Sequence, residues 1–183
     1  MSHINYENIS LEKLAAIVSK KLNEHHIDSI LVGGSCVSIY SQNRYQSYDL
    51  DYVTYEDLKK ISKALNELGF EQNGRYFCHP KCEFYVEFVS PPVAIGEEPI
   101  HKFEFHHTPL GTIKMLTPTD SVKDRLASYY HWNDKQGLDQ AISVCKEIFS
   151  RIDLQEIKRW SKNEGNTKEF EVFLQELRNH SLI

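Results

Sequence analysis

Residues 48–53 read YDLDYV, and the two aspartates of this run alternate with apolar residues. This alternation predicts a β-strand, in which residues i and i+2 project from the same face. We therefore expect the carboxylates of Asp49 and Asp51 to lie only a few ångströms apart. Two like charges at that separation repel each other and raise each other's pKa. The pattern favours a cation held between them; two solvated acids on an exposed edge strand are the alternative.

A second short run, LVGGS at residues 31–35, ends an apolar stretch in two glycines and a serine. We expect a buried strand over 30–32, a tight turn at Gly33, Gly34 and Ser35, and a helix that starts within CVSIYSQ (36–42). Backbone N–H groups at such a turn, together with the helix N-terminus, can bind a phosphate group. The Ser35 hydroxyl would add a donor. A glycine pair that serves only close packing is the alternative.

A third acid is expected on a later strand, within CEFYVEFVS (82–90). Glu87 is flanked by Val86 and Phe88, and an acid in such a core-like run is costly unless it is paired or bound to a metal. Glu83 lies four residues earlier, on the same predicted face but beside the turn that joins this strand to RYFCH (75–79). We prefer Glu87 as the third acid.

The periodicity along the chain predicts an α/β (α+β) fold, with a mixed sheet flanked by helices and followed by a C-terminal helical region. The predicted division is an α/β core over 1–116 and a helical region over 117–183. A capping box of Thr54 and Asp57 is expected to start the helix that Gly69 ends. Further strands are expected over 75–79, 82–90 and 112–116. Helices are expected from Ser10 to about Leu22, and over 118–131, 137–149 and 153–178, the last broken near 163–166.

Composition excludes several classes of protein. The 183 residues are 40% apolar, enough for a packed core, and no apolar run approaches the length of a membrane span. The net charge of -5 argues against a duplex-DNA binder that works through bulk charge. The N-terminal MSHINYENIS has no charged segment followed by an apolar one, so we expect a cytoplasmic protein with reduced thiols.

The combination of Gly34-Ser35, Asp-x-Asp and a lone acid on a later strand resembles the DNA polymerase β-like nucleotidyltransferase superfamily. Arg44 and Ser47 precede the aspartates, similar to the Arg…Thr-x-Asp-x-Asp form of that family, with Ser47 in place of the threonine. The run TPTDSVKDRLASYYHW (117–132) is similar to the segment after the catalytic core of small bacterial nucleotidyltransferases. Those include toxin-like members of abortive-infection and toxin–antitoxin systems.

The resemblance implies a Mg²⁺-dependent enzyme that transfers NMP from an NTP to an acceptor hydroxyl. Asp49, Asp51 and Glu87 would be the catalytic residues and the ligands of two Mg²⁺ ions, with Mn²⁺ as a substitute. A lysine of the later helix contacts the nucleotide in the toxins, but Arg125 stands at that position here, with Lys123 two residues away. The residues implied in nucleotide binding are Gly33, Gly34, Ser35, Arg44, Ser47, Lys123 and Arg125.

The acceptor stays open at this point: a tRNA 3′ end, a protein side chain or a small molecule such as an aminoglycoside. A cognate toxin or antitoxin would be a further partner; a membrane or duplex DNA would not. The alternative function is a non-catalytic nucleotide-binding component of a toxin–antitoxin pair with the same fold. In the least specific interpretation, the acids are merely structural.

Some residues carry two interpretations each. Cys78, His79 and Cys82 suggest either a zinc site or a turn with small apolar thiols, which we prefer because a second ligand pair at usable spacing is missing. The pairs His25-His26 and His106-His107 are expected in loops or at helix ends. The aromatic run YYHW (129–132) would either stack on a base or pack the helical region onto the sheet. Arg44 is either a phosphate ligand or half of a surface ion pair.

Overall fold

The computed structural model describes residues 4–183, which form seven α-helices and nine β-strands. The helices are α1 (Leu11–Glu24), α2 (Gly33–Tyr40), α3 (Leu58–Asn66), α4 (Pro118–Trp132), α5 (Lys135–Ile148), α6 (Leu154–Asn163) and α7 (Thr167–Asn179). The strands are β1 (Ile30–Val32), β2 (Asp49–Val53), β3 (Glu71–Asn73), β4 (Tyr76–Cys78), β5 (Tyr85–Val89), β6 (Ala94–Ile95), β7 (Glu98–Pro99), β8 (Phe103–Thr108) and β9 (Gly111–Leu116). None of the helices in this range is both long and apolar enough to cross a membrane.

Seven of the strands form one mixed sheet in the order β3-β4-β5-β2-β1-β9-β8, and β6 and β7 form a separate hairpin. The central strand β2 runs antiparallel to β1 and parallel to β5. Helices flank this sheet, and after Leu116 all the regular elements are helices. The predicted mixed sheet with flanking helices is confirmed, while the division into two domains stays a prediction.

One face of the central strands forms the core. Leu50 and Tyr52 of β2 and Val86 of β5 are fully buried there, and the Tyr52 hydroxyl donates to the Ala15 carbonyl oxygen of α1 at 3.1 Å. Burial of these apolar side chains is the main favourable contribution to the fold. Because side chains alternate along a strand, it also forces Asp49 and Asp51 onto the opposite face.

Two predicted helix starts are wrong. Helix α2 begins at Gly33, so the glycines and Ser35 are its first turn and no separate turn precedes it. Helix α3 begins after Asp57, whose side chain accepts from the Lys60 N–H. Thr54 takes no part in that cap, because its hydroxyl donates to the Asp28 carbonyl oxygen at 2.7 Å.

The segment between residues 91 and 111 holds more strand than the sequence predicted. His106 and His107 lie in β8, which pairs along its full length with β9. His106 contacts Glu12 of α1 at 2.6 Å, and His107 contacts Thr112 at 2.9 Å. The expected loop position of this histidine pair is therefore wrong, whereas His25 is the C-cap residue of α1, as predicted.

The helical region packs through part of its aromatic run. Tyr130 is stacked on Trp160 of α6, with ring centroids 5.4 Å apart, and its hydroxyl contacts the Ser161 hydroxyl at 2.8 Å. Trp132, at the end of the same run, is 78% exposed. Tyr130 thus packs α4 against α6 within the helical region, and the predicted packing of the run onto the sheet stays a prediction. The predicted break of the last helix is confirmed, since α6 ends at Asn163 and α7 starts at Thr167.

A buried ammonium group ties these helices to the β6–β7 hairpin. The Lys123 side chain of α4 is 1% exposed, and its Nζ lies 2.9 Å from Glu98, 3.2 Å from Asp120 and 3.3 Å from Glu156. Burial by itself would lower the pKa of Lys123, but Glu98 and Asp120 outweigh that effect and raise its pKa. Lys123 is therefore a structural cation shared by β7, α4 and α6.

Replacing Lys123 by alanine should destabilise the fold, because it removes a buried cation from among Glu98, Asp120 and Glu156, of which Glu98 and Glu156 keep Arg159 as a second partner. Breaking such a partly exposed network by a single change costs up to about 3 kcal/mol. We expect urea unfolding of Lys123→Ala to give a loss of that order, while Lys158→Ala on the exposed side of α6 stays close to wild type. Equal stability of the two variants would contradict the structural role of Lys123.

Candidate active site

Three carboxylates meet on the solvent side of the sheet. Parallel pairing of β2 with β5 sets Asp51 opposite Glu87, and Asp49 lies on the same face two residues before Asp51. Each of the three offers an oxygen, and these oxygens all lie within 4.8 Å of one another. Within residues 4–183 this is the one group of three or more histidine, cysteine or acidic side chains close enough to share an ion. We call Asp49, Asp51 and Glu87 the acid triad.

Glu83, the competitor for the third position, lies outside strand β5. That strand begins at Tyr85, and Glu83 is an exposed residue of the turn before it. The predicted strand over 82–90 therefore starts too early, and no strand pairing fixes Glu83 beside the other acids. The geometry favours Glu87.

Burial makes the acid triad electrostatically costly. The pKa of Asp51 is raised to about 7, first by burial and then by the charges of Asp49 and Glu87, while the Arg125 guanidinium opposes the rise. The Asp51 carboxyl group can therefore exchange its proton for a metal cation near neutral pH. A cluster of hard carboxylate oxygens is the donor set that Mg²⁺ and Mn²⁺ prefer, so the residues present fit such an ion.

Gly33 leaves room for Asp51. Its φ of +69° lies in the left-handed region, and a Cβ at this position would stand 2.6 Å from the Asp51 Oδ2 atom. Any side chain here would therefore add backbone strain and displace the carboxylate. The first glycine of the doublet is explained by the acid triad rather than by general packing.

The N-terminus of α2 lies beside the acid triad. Val32 is its N-cap residue and provides no side-chain cap, and the first N–H groups of a helix have no acceptor within the helix. The Ser35 hydroxyl is already engaged, since it donates to the Val32 carbonyl oxygen at 2.9 Å. The backbone of Gly33, Gly34 and Ser35, rather than the serine hydroxyl, is what this helix end can offer to an anion.

A chain of hydrogen bonds through Ser38 and Ser47 connects α2 to Asp49 of the acid triad. The Ser38 hydroxyl donates to the Gly34 carbonyl oxygen at 3.3 Å and accepts from the Ser47 N–H at 2.8 Å. The Ser47 hydroxyl donates to the Asp49 Oδ1 atom at 2.6 Å. Ser47 is buried, so it acts as a positioning residue that fixes the carboxylate of Asp49.

The three predicted basic residues occupy different places. Arg125 of α4 is held by Asp124 and by Gln140, 3.2 Å from its Nη1 atom, and its charge acts on Asp51. Lys123 belongs to the buried ion cluster described above and has its carboxylate partners there. Arg44 is 63% exposed and its Nε atom lies 2.5 Å from Glu147 of α5. The charge of Arg125 therefore links it to Asp51, whereas Lys123 and Arg44 lie in ion pairs elsewhere.

Sequence reasoning missed Arg75. Its Nε atom lies 3.2 Å from the Glu87 Oε1 atom, and its guanidinium carbon lies 4.7 Å from the centre of the Tyr76 ring. The signal was present in the predicted hairpin, because antiparallel pairing of RYFCH with the next strand brings the start of one strand beside the end of the other. Cys78 and Cys82, the zinc candidates of the same hairpin, are free thiols.

Comparison with known proteins gives a likeness of fold. No protein-family model matches the sequence, and no curated protein matches it. Among solved structures, the chain is similar to an antigenic nucleotidyltransferase-like protein from Paracoccidioides brasiliensis, with a TM-score of 0.56 and 16% identity over 76% of this chain and 77% of that one.

Two structures of the antibiotic-resistance factor ANT(2″)-Ia are also similar, each with a TM-score of 0.49. The solution structure is 11% identical over 93% of this chain and 96% of that one. The crystal structure with adenylyl-2″-tobramycin is 10% identical over 87% and 94%. The likeness to the Paracoccidioides protein shows that this chain has a nucleotidyltransferase-like fold.

Gly33→Ala tests the link between the helix end and the acid triad. Its Cβ would push on the Asp51 carboxylate, so we expect Mn²⁺ affinity, measured by titration calorimetry, to fall at least about tenfold, or about 1.4 kcal/mol. Gly165→Ala is the matched control, because Gly165 also has a positive φ but has open space around its Cβ position. Loss of Mn²⁺ affinity in both variants would attribute the effect to backbone strain alone.

The raised pKa of Asp51 predicts a pH-dependent stability. An unfolded aspartate titrates near about 4, whereas Asp51 in the fold titrates at about 7. Between these values the folded state binds the extra proton, so the contribution of Asp51 to stability falls as pH rises from about 4 to about 7. With metal removed by chelator, Asp51→Asn should therefore melt at least about 3 °C above wild type at pH 8, and this difference should shrink toward pH 5.

Added Mn²⁺ should reverse that order, raising the melting temperature of wild type and leaving Asp51→Asn unchanged. Glu83→Gln removes an exposed acid from the same region and should follow wild type at every pH and with Mn²⁺. An Asp51→Asn protein that is less stable than wild type at pH 8 would refute the electrostatic account of the acid triad.

Proposed function

We propose that this protein is a Mg²⁺-dependent nucleotidyltransferase, which moves NMP from an NTP to an acceptor hydroxyl. The observation that carries the proposal is the pairing of a three-carboxylate cluster, with oxygens within 4.8 Å of one another, with an uncapped helix N-terminus beside it. The first feature suits divalent cations and the second suits phosphate. Together they match what a metal-bound triphosphate requires, on a nucleotidyltransferase-like fold.

Different groups of the protein would bind the phosphates and the metal ions. The backbone N–H groups of Gly33, Gly34 and Ser35 would bind the β- and γ-phosphates, and Arg125 would add positive charge on the side of α4. Asp49, fixed by Ser47, and Asp51 and Glu87 would hold two Mg²⁺ ions. When bound, those ions would supply the electrophilic charge that stabilises the phosphates and lowers the pKa of the hydroxyl.

The proposed reaction is an in-line displacement. The acceptor oxygen forms a bond to the α-phosphorus, the bond from that phosphorus to the bridging oxygen of the β-phosphate breaks, and pyrophosphate leaves with that electron pair. The hydroxyl proton passes to a carboxylate of the acid triad, and Glu87 is the candidate because, of the three acids, it lies on the strand farthest from the helix end that would bind the triphosphate. The products are the NMP ester of the acceptor and pyrophosphate.

The test of the proposal is transfer of label from α-³²P-NTPs, offered one at a time with Mg²⁺ or Mn²⁺, to RNA, protein and small-molecule acceptors. We expect labelling only with the metal, and we expect Glu87→Gln to lower it at least about a hundredfold, on the order of losing one charge-stabilising group in a catalytic site. Glu83→Gln, which changes an exposed acid of the preceding turn, should stay within a few-fold of wild type.

The same assay separates the alternatives. A protein that binds the metal–NTP complex and labels nothing would support the non-catalytic toxin–antitoxin component instead. Equal, small effects of the Glu87 and Glu83 changes would mean that Glu87 is not part of the catalytic group. A protein that binds neither metal nor NTP would leave the acids with a structural role and refute the proposal.

A further inference from the structure

Two tyrosines extend the face that carries the acid triad. Tyr85 of β5 pairs with Asp49, and Tyr76 of β4 pairs with Glu87, so both tyrosines share that face. Their ring centres lie 4.6 Å apart at an angle of 67°. The two rings form an aromatic step next to the acids.

An exposed guanidinium completes this surface. The Arg75 side chain is 69% exposed, lies over the Tyr76 ring at 4.7 Å and contacts Glu87 at 3.2 Å. It also contacts the Tyr76 hydroxyl. A planar cation stacked on an aromatic ring keeps its outward N–H groups available for a phosphate group. We call Arg75, Tyr76 and Tyr85 the aromatic–arginine platform.

The platform and the end of α2 lie on opposite sides of the acid triad. The strand order β4-β5-β2-β1 runs from Tyr76, through Glu87 and Asp51, to the strand that leads into Gly33. In a displacement at phosphorus, the attacking and leaving oxygens are roughly in line on opposite sides. If the triphosphate is bound at α2, the acceptor hydroxyl must approach from β4 and β5, where the platform lies.

We infer that the aromatic–arginine platform is the acceptor subsite, and that its acceptor ends in a ribonucleotide. The inference rests on the proposed function and deepens it. Aromatic rings bind a base by stacking, at about 1–3 kcal/mol per base, and the guanidinium binds the phosphate of the same nucleotide. These two contacts would place a ribose hydroxyl of the same nucleotide at the acid triad. The source of this ribonucleotide end is a free mononucleotide or a single-stranded RNA 3′ terminus.

Shape separates this acceptor from the other two. An aminoglycoside presents no flat base for the rings of Tyr76 and Tyr85 to stack on. A protein hydroxyl presents neither a flat base nor a phosphate for the platform to bind. The reaction keeps the balance given above: the ribose oxygen bonds to the α-phosphorus, pyrophosphate leaves, and the hydroxyl proton goes to the acid triad.

The experiment measures binding of two probes, AMP by calorimetry and a 5′-fluorescein single-stranded RNA pentamer by anisotropy, with Mn²⁺ and a non-hydrolysable NTP present. Arg75→Ala and Tyr85→Leu should weaken binding of at least one probe tenfold or more, with each variant first saturated with Mn²⁺·NTP at its own measured affinity. Arg151→Ala is the matched control, because Arg151 also lies over a tyrosine ring, that of Tyr40, and pairs with a glutamate, Glu104. It should bind as wild type does.

The two probes distinguish a mononucleotide acceptor from an RNA 3′ end, and other outcomes would overturn the inference. Loss confined to RNA assigns an RNA 3′ end, and loss for AMP as well assigns a mononucleotide; both support the inference. Unchanged binding in Arg75→Ala, which removes an exposed side chain and keeps the fold, would overturn it, as would transfer of label only to an aminoglycoside or a protein. If wild type binds no Mn²⁺·NTP at all, the proposed function itself fails, whatever the probes do.

Discussion

The repulsion among three carboxylates on one sheet face is the constraint around which the rest of this site is arranged. Burial of Leu50, Tyr52 and Val86 on the other face leaves Asp49, Asp51 and Glu87 no alternative position. Burial first, and then the charges of Asp49 and Glu87, raise the pKa of Asp51 to about 7. A fold that keeps such a cluster sacrifices stability for function, and a divalent cation is the partner that would recover it.

The surroundings of the triad serve it in different ways. Gly33 clears space for Asp51, Ser47 fixes Asp49, and Arg75 contacts Glu87 from the side of β4. Arg125 adds positive charge from α4, on an element that the buried Lys123 cluster holds in place. The helical region thus acts on the acid triad through Arg125 of α4, even though all three carboxylates come from the sheet.

Much of this could be predicted from sequence because it depends on local periodicity. Strand alternation alone places Asp49 and Asp51 on one face, and the apolar neighbours of Glu87 separate it from Glu83. The rest depends on pairing between distant segments. Nothing local indicates that Lys123 meets Glu98 and Glu156, or that β8 pairs with β9 at the sheet edge. Arg75 was missed although its hairpin was predicted, because the register that sets Tyr76 opposite Glu87 was not worked out.

The central claim is that the acid triad and the end of α2 bind one metal–triphosphate complex. The most direct test is anomalous diffraction from crystals grown with Mn²⁺ and a non-hydrolysable NTP. The account predicts Mn²⁺ within coordination distance of Asp49, Asp51 and Glu87, with the phosphates on the N–H groups of Gly33 to Ser35. Mn²⁺ bound elsewhere, or a triphosphate away from α2 while the triad stays free of metal, would contradict it.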